Sequence, residues 1–210
     1  MESLLTKNFY WHRLPHFQPD NGLLFITFRL DFSISEKLNI QLNEYKQQLT
    51  KTIKPGPLQK NIIHKKVFDM RDQQLASLKD QHYYLQDDRI CSVVNETLKE
   101  LHNNLYDLFC FTIMPNHVHI LIRIREKEEG VFHKLPYVMK RIKGSTAFKA
   151  NKILQREGHF WEREYYDYCI RSEKEANNIV QYILMNPVKA NLCREPEEWK
   201  WTWINHDLLV

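Results

Sequence analysis

Apolar residues follow two patterns along this chain: short runs, and longer stretches in which they recur every three or four residues. The runs predict strands. Leu23 to Leu30, Tyr106 to Ile113 and His117 to Ile124 are rich in aromatic, β-branched and other apolar residues. Met114-Pro115-Asn116 separates the last two, and a Pro-Asn step predicts a tight turn and hence a hairpin. Phe160 to Ile170, carrying Tyr165, Tyr166 and Tyr168, is a further predicted strand.

The periodic stretches predict helices. Ser35 to Thr50 is polar with weak apolar periodicity, Lys54-Pro55-Gly56-Pro57 marks a loop, and Asp69 to Lys79 reads as helical. Asp87 to Asn103 carries a stripe of Ile90, Val93, Val94, Leu98 and Leu101. Ser172 to Asn186 opens with an N-cap serine and acids at Glu173 and Glu175, and buries Ile179, Val180, Ile183 and Leu184. Pro187 is expected to stop it, with Asn186 already leaving helical geometry.

Strands and helices interleave, but adjacent hairpin strands imply an antiparallel sheet rather than a doubly wound parallel one. The fold class is therefore α/β of the α+β kind, with helices flanking the sheet. Residues 1–210 read as a single domain with a helical insertion at about 31–104 and an aromatic C-terminal tail at about 194–210. The tail's Trp199, Trp201 and Trp203 either cap the core or shield a site.

Composition fits one globular domain: 43% hydrophobic and 12% aromatic residues argue against wholesale disorder. Cys91, Cys110, Cys169 and Cys193 lie far apart with no CxxC pair, against both a thiolate zinc site and a disulfide scaffold. No apolar leader or membrane-length run is visible, so the expected location is cytoplasmic and no membrane partner is expected. The net charge of +4 is unevenly spread. Lys134, Lys140, Arg141, Lys143, Lys149, Lys152 and Arg156 follow one another with no intervening acid. Val138, Ile142, Phe148 and Leu154 give this stretch an apolar side, so it predicts an amphipathic basic helix, open to a break at Gly144. A solvated basic face is the plain alternative to a phosphate-binding surface. Lys140 and Lys143 share a face that Arg141 leaves by about 100°.

Two features carry chemistry. His117-Val118-His119 puts two imidazoles on one face of a strand and Val118 on the other, a half-site for a divalent metal. A His-x-His pair alone is more often structural. Tyr182 and Asn186 lie four apart on the last predicted helix and face the same way. A tyrosine at a helix edge and an asparagine capping its end would also account for them. Taken together, two imidazoles, an amide oxygen and a phenol are the parts of a metal-assisted tyrosine nucleophile.

These residues resemble those of the single-tyrosine HUH transposases, most closely the REP-associated tyrosine transposases. His117-Val118-His119 matches the family's His-hydrophobic-His, and Tyr182 with Asn186 its nucleophile and the polar ligand four residues on. Arg13-Leu14-Pro15-His16 and Phe25 to Leu30 resemble the opening segment and first strand. Met139-Lys140-Arg141-Ile142-Lys143-Gly144 is similar to the basic helix segment. Phe160-Trp161 through Tyr165-Tyr166-Asp167, and Asn186-Pro187-Val188-Lys189-Ala190, resemble later segments. Residues 31–66 match nothing.

The resemblance implies a ferredoxin-like palm with an antiparallel sheet of four to five strands. It also implies a single-stranded DNA endonuclease and strand transferase acting on hairpin, palindromic DNA. Tyr182 would attack phosphorus to give a 5′-phosphotyrosine and a free 3′-OH, with His117, His119 and Asn186 holding Mg²⁺ or Mn²⁺. Mg²⁺ comes from the resemblance; two imidazoles suit Mn²⁺ better on chemical grounds. Lys140, Lys143, Lys149 and Arg163 are the expected nucleic-acid contacts, and a nucleoid association follows. Monomer and homodimer both stay open. So do a non-catalytic, domesticated hairpin-DNA-binding protein and a metal-dependent hydrolase in which Tyr182 is structural.

Overall fold

The computed structural model describes residues 9–11, 15–17, 20–31, 36–52, 66–68, 70 and 83–208. The chain packs as two compact units, Met1–Asp31 with Tyr83–Val210, and Phe32–His82. The second contains the predicted polar helix, observed as α1 (Glu36–Thr52), with Leu42 and Phe68 buried among its described residues. The helix expected over Asp69–Lys79 lies outside the described residues apart from Met70. The insertion expected at about 31–104 thus divides: 32–82 is a unit of its own, and the following helix belongs to the sheet unit.

The sheet unit is built on β3 (Leu23–Arg29), α2 (Asp88–Glu100), β4 (Tyr106–Ile113), β5 (His117–Ile124), α3 (Leu135–Ile153) and β8 (Tyr166–Cys169). Two short ribbons accompany it, β1 (Phe9–Trp11) with β2 (Pro15–Phe17), and β6 (Glu126–Glu128) with β7 (Val131–Phe132). The last helix, α4 (Glu173–Lys189), and the last strand, β9 (Thr202–Ile204), complete the order. The five-stranded sheet runs β8-β3-β5-β4-β9, every neighbour antiparallel. Its first four strands with α2 and α3 form the β-α-β-β-α-β arrangement of a ferredoxin-like fold. The tail supplies the fifth strand at the β4 edge, where Trp203 stacks on Phe111 at 5.8 Å and Trp199 Nε1 donates to the Ile113 carbonyl.

Cross-strand register assigns the two faces, because opposed residues point the same way. One face carries Phe25, Thr27 and Arg29 of β3, His117 and His119 of β5, Thr112 of β4, and Tyr166 and Tyr168 of β8. The reverse face carries Leu24, Ile26, Phe28, Val118, Ile120 and Ile122, all fully or nearly fully buried. Helices α2 and α3 cover the reverse face. Tyr106 Oη donates to the Leu98 carbonyl of α2, and Trp161, 4.8 Å from Phe28, donates to Thr146 Oγ1 of α3. Among the described residues, the histidine face receives α4, which packs on β4 and β5 and brings Tyr182 against Phe25 and His119.

Two expectations are corrected, and the break left open at Gly144 is absent. Pro187 does not end the last helix, which continues to Lys189. A proline costs one backbone donor, here the one that would reach back to Ile183; its ring is buried, and Ala190 N–H and Leu192 N–H still close on Asn186 and Pro187 carbonyls. Gly144 does not break α3. The strand expected over Phe160–Ile170 is shorter, Tyr166–Cys169, with only an isolated bridge from Trp161 to Leu30 upstream. Glu162 N–H still donates to the Arg29 carbonyl and its carboxylate pairs with Arg29, but beyond it Lys143 Nζ takes the carbonyls of Glu162 and Arg163, and ladder pairing resumes at Tyr166.

Candidate functional site

The β4–β5 turn is what aims the histidines. Met114 N–H closes on the His117 carbonyl, Leu85 N–H takes the Pro115 carbonyl, and Leu30 N–H takes the Asn116 carbonyl. Every one of these contacts pins a turn that would otherwise be a free loop tip. His117 and His119 then project from the first turn-proximal residues of β5, both buried.

Their Nε2 atoms stand 3.0 Å apart. Each outer nitrogen is held by a buried side chain: His117 Nδ1 lies 2.6 Å from Asn116 Oδ1, and His119 Nδ1 lies 2.7 Å from Thr27 Oγ1. An amide oxygen only accepts, so His117 Nδ1 carries the proton and its Nε2 presents a lone pair. A hydroxyl can play either role. When Thr27 donates, His119 Nε2 carries a proton toward His117; when Thr27 accepts, both Nε2 lone pairs face the same point. Two converging imidazole lone pairs fit a divalent cation, with the partner on the far nitrogen fixing each ring. Among the described residues no cluster of three or more His, Cys, Asp or Glu could hold a metal ion. A third donor among the described residues would therefore be an amide or a hydroxyl.

Helix α4 brings the phenol to this point. Ser172 caps it by accepting from Glu175 N–H, as the sequence predicts. The Tyr182 ring sits 5.4 Å from His119 and 5.8 Å from Phe25, edge-on to both, and is half-buried. Phe25 also stacks on His119 at 5.6 Å, so the three rings pack against one another. Lys189 Nζ lies 5.4 Å over the Tyr182 ring, placing a positive charge beside it. Asn186, buried at 8% exposure, follows one turn later on the same side of the helix. Tyr182, His117 and His119 are thus gathered on one face, with Asn186 on the turn that continues from it.

The neighbouring tyrosines are occupied otherwise. Tyr168 Oη donates to Glu175 at 2.7 Å, and burial together with that carboxylate pushes its phenol up to about 12. Tyr165 lies under the Lys143 ammonium at 5.7 Å. Tyr166 meets Phe25 edge-on at 6.2 Å on the histidine face.

The expected nucleic-acid contacts differ in setting. Lys140 is exposed on the outside of α3, Lys149 is half-buried on its flank, and Arg163 is exposed in the loop before β8. Lys143 turns inward onto the carbonyls of Glu162 and Arg163 at 2.7 and 2.8 Å. Burial lowers its pKa to about 8, outweighing the nearby Glu162 and Glu164 carboxylates. Helix α3 packs on the reverse of the sheet, so none of its lysines shares the histidine face. Sequence reasoning missed Thr27, Asn116 and Lys189. It also missed Arg29, which is opposite His117 in register and ion-paired with Glu162 at 3.0 Å. Asn116 and Lys189 stood beside quoted motifs; Thr27 and Arg29 needed the register.

The family model described as Transposase IS200 like matches residues 66–186, more than half of the chain. The chain belongs to the IS200-like transposase family. His117, His119, Tyr182 and Asn186 all fall within the matched span. The IS200-like chain is 24% identical over 108 residues to a Haemophilus influenzae relative that bears the REP-associated tyrosine transposase name. That alignment covers 49% of this chain and 61% of the relative. It is 18% identical over 103 residues to the REP-associated tyrosine transposase of Escherichia coli, covering 49% of this chain and 57% of that one. The chain thus spans about six-tenths of the length of the curated relatives it matches. A solved structure of a REP-associated tyrosine transposase bound to a REP hairpin is 14% identical. Its overlay covers 92% of this chain and 81% of that one at a TM-score of 0.49.

Proposed function

We propose that this IS200-like protein cleaves and rejoins single-stranded DNA bearing a hairpin, with Tyr182 as nucleophile. The observation that carries the reading is the convergence of His117 Nε2 and His119 Nε2 beside the Tyr182 ring on the histidine face of the sheet. His117, His119 and Asn186 would hold Mg²⁺ or Mn²⁺, which when bound would polarise the scissile phosphate and offset charge gathering on it. Asn186 fits the requirement for an amide donor. The hairpin substrate is the class to which the sequence resemblance points.

Tyr182 Oη attacks phosphorus, its proton passing to water or a neighbouring base. The P–O3′ bond breaks, the departing 3′ oxygen takes up a proton, and the 5′ phosphate remains on the tyrosine. Reversal by the 3′-OH of another end restores a phosphodiester with no external energy source. The buried Phe25 wall and the half-buried phenol hold the ring edge-on to His119, which restricts where its oxygen can travel. Lys189 supplies positive charge beside the incoming phosphodiester.

Labelled hairpin DNA incubated with the protein and Mn²⁺ should yield a covalent protein–DNA adduct that chelator abolishes. Hairpin binding without an adduct, under conditions that retain metal, would instead favour a purely DNA-binding protein.

A further inference from the structure

The outward side of α3 has a composition that packing among the described residues of the sheet unit does not explain. Tyr137, Lys140, Arg141, Gly144, Phe148 and Lys152 are all exposed. At 100° per residue they fall in one sector of about 120°. Val138, Ile142, Thr146 and Ala150 occupy the buried side. Phe148 is 74% exposed and Tyr137 43%. A phenylalanine this exposed contributes nothing to the core. Gly144, one turn before it, is helical, and a Cβ there would meet nothing within 4 Å. Glycine inside a helix is costly, and here no contact within the sheet unit requires it. What a bare backbone at that point admits is close approach from outside.

We propose that this face of α3 binds an unpaired nucleic-acid strand, a base stacking on Phe148 and flanking phosphates lying on Lys152, Arg141 and Lys140. Aromatic and cationic residues interleave along the stripe, and α3 itself carries no acid, the first one after it being Glu157. Beside Phe148 lies a shallow depression of about 500 Å³ lined by Asn151, Lys152, Gln155 and Glu157, roomy enough for one base. Arg156 at its rim is committed, bonding Asn151 Oδ1 and the His159 carbonyl and lying over Tyr84. Arg141 instead reaches the Tyr137 hydroxyl at 3.3 Å, within the stripe. Gly144 lets the sugar-phosphate chain pass close between Arg141 and Phe148. Because α3 covers the reverse of the sheet, this strand is a segment flanking the one at Tyr182. The inference therefore rests on the DNA-processing reading and extends it to a second surface.

The test is fluorescence anisotropy of the full chain with an unstructured oligothymidine and with an abasic strand of equal length. Stacking on one aromatic ring is worth enough that Phe148→Ala should weaken oligothymidine binding by about 10-fold. The abasic strand should be unaffected by that change, and Phe148→Tyr should bind within about 2-fold of wild type, since a phenol stacks as well. Lys152→Gln should weaken both strands and lower the log–log salt slope by about 0.7. Wild-type affinity of Phe148→Ala for both strands would overturn the proposal. So would a loss of self-association by sedimentation at unchanged DNA affinity, which would assign the stripe to a second copy of the chain. Phe148-dependent binding in a protein that forms no covalent adduct would uphold this surface while removing the catalytic reading. An adduct with no Phe148 dependence would do the reverse.

Discussion

The hydroxyl of Thr27 lies 2.7 Å from Nδ1 of His119 and governs what the other nitrogen of that ring can do. As an acceptor it leaves His119 Nε2 with a lone pair aimed at the same point as His117 Nε2, 3.0 Å away. As a donor it leaves a proton between the two rings. Rotation of one hydroxyl thus matches the pair either to a cation or to its absence.

Thr27→Val keeps the shape and removes that partner, so it should weaken Mn²⁺ binding by about 10- to 100-fold. Asn116→Ala should act similarly through His117, whose Nδ1 it holds at 2.6 Å. Titration of Mn²⁺ by electron paramagnetic resonance reads this without any cleavage assay. Unchanged affinity in both variants would remove the positioning role.

His117→Ala, His119→Ala and Asn186→Ala should each suppress cleavage, with excess Mn²⁺ rescuing Asn186→Ala best. An amide is the weakest donor of the set and the easiest for water to replace. Full wild-type activity in chelator would exclude a metal role.

Lys143 links pH to stability. Its pKa falls from 10.5 to about 8 in the folded chain through burial. Between those values the unfolded chain keeps a proton that the folded chain has released, so raising pH through the window stabilises the fold. Buried Cys91 and Cys110, both raised to about 12, work in the opposite direction, so the comparison must be with Lys143→Met. Relative to that variant, wild type should gain roughly 1–3 kcal/mol from pH 8 to 10.5 in urea unfolding. A constant difference across the window would contradict the inward placement.

Gly144→Ala should stabilise the protein by about 0.5–1 kcal/mol, because the added methyl meets open space in a regular helix. A fall in thermal midpoint would mean that Gly144 is needed inside the fold.

The hairpin over Tyr106–Ile113 and His117–Ile124 was legible residue for residue, because a Pro-Asn step between two apolar runs leaves few alternatives. So was the cap of α4 at Ser172. Pro187 misled, since local propensity forbids what burial of its ring outweighs. Phe160–Ile170 misled because pairing with β3 lapses between Glu162 and Tyr166, where Lys143, remote in sequence, binds the carbonyls of Glu162 and Arg163. The pairing of Thr27 with His119 spans 92 residues and exists only through strand register, which one sequence does not display. Lys143 read as an outward cation because helical spacing fixes a residue's azimuth, not the course of a long flexible side chain.

The central claim is that Tyr182 forms the covalent link to DNA. Substituting phenylalanine removes one oxygen from a half-buried ring whose contacts with Phe25 and His119 are aromatic, so fold and hairpin affinity should be retained. The decisive measurement is denaturing electrophoresis of wild type, Tyr182→Phe, Tyr165→Phe, Tyr166→Phe and Tyr168→Phe with labelled hairpin DNA and Mn²⁺. The account predicts an adduct in every protein except Tyr182→Phe. An adduct that persists in Tyr182→Phe and disappears in one of the β8-side tyrosine variants would contradict it.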